Sequence, residues 1–169
     1  MKKYELTAEF IEKWGKKLFR IKALISFGSV EVGELGGYVE KEDNLAQDGN
    51  AWVYGNAWVC GDARVCGDAE VYGNARVCGN AEVCGDAEVC GDADYLLIGR
   101  IGSRFSFTTF FKNKDKGITV SCGCFLGTIA EFRAKVSDTH GNNKHAKIYN
   151  LAADMAELQI LGEEYFDKR

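Results

Sequence analysis

From Gly49 the chain repeats a six-residue unit eight times without an insertion: GNAWVY, GNAWVC, GDARVC, GDAEVY, GNARVC, GNAEVC, GDAEVC and GDADYL. Glycine opens every unit and alanine stands two residues later. Valine fills positions 53, 59, 65, 71, 77, 83 and 89. Each unit reads as a short alternating strand, A-x-V-C/Y, followed by a two-residue corner of Gly with Asn or Asp. Glycine reaches positive φ without steric cost, and Asn and Asp tolerate it. The 169 residues include 20 glycines and no proline. The chain therefore turns on glycine and keeps every backbone N–H for pairing.

Two-residue corners also suit tight hairpins. In an antiparallel meander, however, each Val would face the variable residue of the next strand. That would set Val beside Arg64, Glu70, Arg76, Glu82 and Glu88, and neither face would be apolar. If the chain winds in one sense instead, each strand stacks on an identical one and all Ala and Val share an interior. The arrangement this pattern resembles has three units per turn, an 18-residue offset, with stacked strands about 4.8 Å apart. Burying each Val contributes about 1.5–3 kcal/mol. The phase extends upstream through Leu35-Gly36-Gly37-Tyr38-Val39-Glu40, with Leu45 in an Ala slot, so the repeat spans 35–96.

This pattern resembles the hexapeptide-repeat left-handed β-helix used by many bacterial acyltransferases. The run RIKAL…GELGGYVEKEDNLAQDGNAWVYGNA is similar to the opening of a subgroup of short acyltransferase-like or "polymer-forming" proteins common in bacteria and prophages. The resemblance covers about residues 18–96 and departs from the pattern where Cys or Tyr fills a slot that is usually small or acidic. It implies a mainly β fold: a left-handed parallel β-helix of about three coils. An N-terminal β hairpin or cap over 1–34 and a small C-terminal α+β domain over 97–169 complete the expected organisation.

Stacking by 18 places Arg64 against Glu82, Arg76 against Asp94, and Glu70 against Glu88. Trp52 and Trp58 share an outward slot, to be covered either by the N-terminal segment or by a subunit or partner interface. Open coil edges leave room for a homodimer or homotrimer. Cys60, Cys78, Cys66 and Cys84 stack in pairs within disulfide reach. With no signal peptide in MKKYELTAEF and no run of 18 apolar residues, the expected location is cytoplasmic, where thiols stay reduced.

After Leu96 the repeat stops. LLIGRIG, RFSFTTFFKNK and GITVSCGCF read as three strands. Thr128-Ile129-Ala130-Glu131 is a capping-box signature for a helix ending near His140 and Gly141. A second helix runs from about Lys144 to Leu161, with Ile148, Leu151, Ala152, Met155 and Leu158 or Gln159 as its expected stripe. The expected domain is βββαα.

Three constellations could carry chemistry. Arg100, Ser103 and Arg104, near Lys112, Lys114 and Lys116 and interleaved with phenylalanines, could hold a phosphate or nucleotide. Cys122, Cys124, His140 and His145 have the residue types of a zinc site but not its usual spacing, so no cofactor is expected and zinc is the exception to test. Acyl transfer, which the resemblance implies, needs a histidine base near a coenzyme A site between subunits. Here the only histidines are His140 and His145, both outside the repeat. Charge divides sharply: 49–96 carry two basic and eight acidic side chains, and 97–169 carry eleven and eight. The acidic middle argues against general nucleic-acid binding. The favoured reading is a non-enzymatic binding protein of phage or prophage type. It would bind a host protein or sequester a small nucleotide, inhibiting a bacterial defence system in the manner of an anti-CRISPR protein. The alternative is an acyltransferase using an acyl-coenzyme A donor.

Overall fold

A computed structural model of the chain describes residues 1–162. It divides into two compact units, Met1–Asp92 and a second that begins at Ala93.

In the first unit, β1 (Tyr4–Lys13) and β2 (Lys16–Ala23) form an antiparallel hairpin. β3 (Leu35–Val39) pairs antiparallel with β2. The repeat then supplies seven two-residue strands: β4 (Trp52–Val53), β5 (Trp58–Val59), β6 (Arg64–Val65), β7 (Glu70–Val71), β8 (Arg76–Val77), β9 (Glu82–Val83) and β10 (Glu88–Val89). They pair in parallel at an offset of 18 residues, as in Val53↔Val71, Val59↔Val77, Val65↔Val83 and Val71↔Val89. The seven valines are fully buried, and the repeat alanines from Ala51 to Ala87 are buried with them.

The expected left-handed parallel β-helix is corrected. The fold is mixed β, with several small separate sheets and two helices. β1-β2-β3-β5-β8 is one five-stranded sheet of mixed direction, β10-β7-β4 a second, and β6-β9 a third. The reason lies in the six-residue period itself. Corner glycines from Gly49 to Gly85 hold φ between 57° and 73°, which breaks the extended run of each unit down to a two-residue strand. The N-terminal hairpin then joins one of these short ladders through antiparallel pairing. Residues 1–34 and the repeat thus belong to one compact unit.

The hairpin and the segment after it also cover the tryptophans. Trp52 is fully buried, edge-on to Tyr4 and Phe27 at 6.1 and 5.4 Å. Trp58 is buried with Trp14 edge-on at 5.0 Å. Neither ring is presented as the outward patch that the repeat phase implies. Gly36 leaves room for the Trp52 ring, which a Cβ there would meet at 2.7 Å, and a Cβ at Gly37 would collide with the Ala57 carbonyl and Val53.

Three outward pairings resolve individually. Arg64 faces Glu82 and Glu70 faces Glu88, as the offset requires. Arg76 instead meets Asp92, Nε to Oδ2 at 3.1 Å, while Asp94 belongs to the second unit and accepts from Lys112 of that same unit. The reduced reading of the cysteines is corrected at one pair. Cys66 and Cys84 form a disulfide, because parallel pairing sets their Cα atoms 4.6 Å apart.

The second unit is an antiparallel sheet in chain order, β11 (Tyr95–Ile101), β12 (Ser106–Lys112), β13 (Ile118–Cys122) and β14 (Phe125–Thr128), followed by α1 (Ile129–His140) and α2 (Lys144–Leu161). It has four strands rather than the expected three, since Gly123 at φ 63° turns the third segment back on itself at Cys122↔Phe125. Thr128 and Glu131 form the capping box of α1, and Asn143 Oδ1 caps α2 by accepting from His145 N and Ala146 N. The core gathers Phe110, Val120, Phe132, Val136 and the α2 residues Ala146, Tyr149, Ala152, Ala153 and Ala156. The expected leucine stripe of α2 is therefore corrected too: Leu151, Met155 and Leu158 are exposed. Small alanines let the helix approach its neighbours closely, and the larger side chains are left outside.

Candidate functional site

The sheet of the second unit ends in two tight turns on the same side. The β11–β12 turn carries Ser103 and Arg104, and the β13–β14 turn carries Gly123 and Cys124. Both border a cavity of about 360 Å³, closed on its other sides by α1 and by Tyr149 of α2. Gly102 shapes the first turn. Its φ is 73°, and a Cβ there would collide with the phenol of Tyr149.

The walls divide by chemistry. Phe125, Phe132, Val136 and Tyr149 supply apolar and aromatic surface. Arg104 and Lys135, both exposed, bring two cations to the rim, and Ser103, Ser106 and Thr139 bring hydroxyls. His140 closes one side, its ring stacked on Tyr149 at 5.7 Å with 28° between planes. Cys122 is half-buried and its sulfur accepts from Thr108 Oγ1 at 3.2 Å. Tyr149 also hydrogen-bonds Cys122. Burial, reinforced by that thiol, pushes the Tyr149 phenol up to about 12, while the Arg104 charge opposes the rise. The phenol therefore stays neutral across the physiological range and serves as a hydrogen-bonding group.

Two sets of sequence candidates thus meet at one place. Ser103 and Arg104 border the cavity together with Cys122, Cys124 and His140. Arg100 does not line it and is exposed on β11. His145 lies behind His140, 5.7 Å ring to ring, and its buried Nδ1 has no hydrogen-bond partner among the described residues. No group of three or more His, Cys, Asp or Glu side chains among the described residues is placed to hold a metal ion. Lys135, Thr139 and Tyr149 were not singled out by sequence. Tyr149 follows Ile148 and falls off the leucine stripe, although the buried Ala152–Ala153–Ala156 face, read instead, would have included it.

No protein-family model matches the chain, and no curated protein matches it. Among the described residues no helix is long and apolar enough to cross a membrane.

Proposed function

We propose that the protein is a non-enzymatic binding protein whose second unit takes a small anionic ligand with an aromatic ring, of the nucleotide class. The observation that carries this reading is the pairing of Arg104 and Lys135 at the mouth of a cavity walled by Phe125, Phe132 and Tyr149. Guanidinium and ammonium groups with neighbouring hydroxyls suit phosphate oxygens, and a ring wall suits a base. A cavity of about 360 Å³ lies within the size range of small-molecule sites, about 300–1,000 Å³. The resemblance of the repeat to short proteins of bacteria and prophages supports the setting: sequestering a host signalling nucleotide, and so blunting a defence response.

Calorimetric titration with a panel of mono- and cyclic dinucleotides, inorganic phosphate and coenzyme A tests this reading. Binding of one nucleotide class is expected, with Arg104→Glu weakening it at least tenfold, about 1.4 kcal/mol. Arg100→Glu serves as the matched control, since Arg100 carries the same charge change outside the cavity, and its affinity should stay within twofold. Equal losses from both variants would reduce the site to a diffuse charge effect. Coenzyme A binding with acyl turnover would make the protein an enzyme and overturn the proposal.

A further inference from the structure

Cys60 and Cys78 occupy the same backbone setting as the disulfide-bonded Cys66 and Cys84. Each pair is separated by 18 residues and each follows a valine pair in parallel register, Val59↔Val77 for one and Val65↔Val83 for the other. The amide of Cys60 donates to the Val77 carbonyl and that of Cys66 to the Val83 carbonyl, both at 3.0 Å. One pair is bonded. In the other, the two sulfurs face each other at 3.0 Å as free thiols. Cys90 shares the sequence slot, but its parallel neighbour at the same offset is Tyr72.

We propose that Cys60 and Cys78 are a second dithiol–disulfide site, oxidised by a low-molecular-weight disulfide of the glutathione class. Cys78 is half-buried and is the point of entry, whereas Cys60 is buried beside Leu18, Tyr38 and Trp58. The Cys78 thiolate attacks one sulfur of the small disulfide, forming a mixed disulfide and releasing one small thiol. The Cys60 thiolate then attacks the Cys78 sulfur and releases the second. Two protein thiols lose two electrons and two protons, and the small disulfide gains both. The product ties β5 to β8 within the sheet that carries the N-terminal hairpin. Burial pushes the Cys78 thiol up to about 12, so the first attack is slow at neutral pH and quickens as pH rises.

The full chain, starting with Cys66 and Cys84 joined, is incubated across oxidised-to-reduced glutathione ratios, quenched in acid, unfolded and alkylated. Intact mass then counts free thiols. The expected count falls from five to three with no retained glutathione, because seven cysteines less two disulfides leave three. Tryptic mapping on a Cys90→Ser background should show residues 42–64, which hold only Cys60, joined to residues 77–100, to which residues 65–76 are already tied through Cys66 and Cys84, with fragmentation placing the new bond at Cys78. Cys78→Ser should keep four free thiols at every ratio. A count that stays at five, a stable glutathione adduct on Cys78, or a bond from Cys90 to either residue would overturn the proposal. The wild-type count and the Cys90→Ser count and map decide the matter even if the Cys78→Ser protein fails to fold, since a bond to Cys90 would leave the Cys90→Ser protein with its four free thiols.

Discussion

Lys3 Nζ donates to the Ala51 carbonyl at 2.9 Å from a side chain that is only 2% exposed. The carbonyls of Asp48 and Gly49 lie 3.3 Å from the same nitrogen, and the Phe27 ring centroid 4.9 Å away. A lysine two residues from the start of the chain thus fastens the first strand of the hairpin to the beginning of the repeat. Its ammonium satisfies carbonyls at a corner where the ladder does not.

Burial lowers the Lys3 ammonium from its ordinary 10.5 to about 8, with Asp48 partly opposing the drop. Between those values the unfolded chain binds the proton more tightly than the folded one, so Lys3 makes stability rise with pH. The desolvation cost is fully present below pH 8 and is relieved on the order of 3 kcal/mol by pH 10.5. Tyr4 acts in the opposite sense. Burial holds its phenol well above the usual range, so stability falls where the unfolded tyrosine ionises, near pH 10 and above. Urea unfolding of wild type and Lys3→Met between pH 7.5 and 9.5 isolates the lysine. The difference between the two proteins should shift in favour of wild type as pH rises, and parallel pH profiles would show that Lys3 is not buried as an ammonium.

Glu70 and Glu88 stand opposite each other in parallel register, with Trp52 on the far side of Glu70. Like charges in a ladder repel by a few tenths of a kcal/mol. Glu88→Lys replaces that repulsion with attraction and should stabilise the protein by about 0.5 kcal/mol at low ionic strength. Raising the salt should shrink the gain, because both side chains are partly exposed. A gain insensitive to salt would point to strand propensity instead of charge.

The buried valines were legible because one residue type recurs at one phase, with a glycine corner setting the length of every strand, and the 18-residue offset came with the arrangement that this pattern resembles. What the hexapeptides left open was which element covers Trp52. Its burial depends on Tyr4 and Phe27, which lie far from it along the chain and carry no repeat signal of their own. The disulfide was legible as geometry and misread through compartment: the stacking of Cys66 on Cys84 was correct, and the assumption of reduced thiols was not. In the second unit, Thr128 and Glu131 announced the start of α1 through local chemistry. The inward face of α2 was misjudged because hydrophobicity favours Leu151 and Met155, whereas packing distance favours Ala152, Ala153 and Ala156. The meeting of Arg104, Cys122 and His140 at one cavity is a product of sheet order and could not be read from spacing.

Gly102 and Gly15 both hold positive φ, 73° and 74°, but only Gly102 has a neighbour where a side chain would go. Gly15→Ala should cost about 1–2 kcal/mol, the backbone term alone. Gly102→Ala adds a collision with the Tyr149 phenol, so it should cost clearly more and also disturb the cavity. Thermal unfolding of the two variants, with ligand titration of Gly102→Ala, separates these contributions. Equal costs would mean that Tyr149 moves aside freely.

Arg133 joins the two helices of the second unit, its Nη2 lying 2.8 Å from both Asp154 Oδ1 and Glu157 Oε2. Glu157 is 3% exposed, so its carboxylate depends on charge-matched donors more than a surface residue would. Arg133→Met removes the cation, and the unit should lose on the order of 3 kcal/mol. Combining Arg133→Met with Glu157→Leu removes the buried charge as well and should recover much of that loss, since a well-packed apolar pair often matches a buried ion pair. Urea unfolding of the single and double variants reads both values. A double variant no more stable than Arg133→Met would assign the role of Arg133 to packing of its alkyl chain.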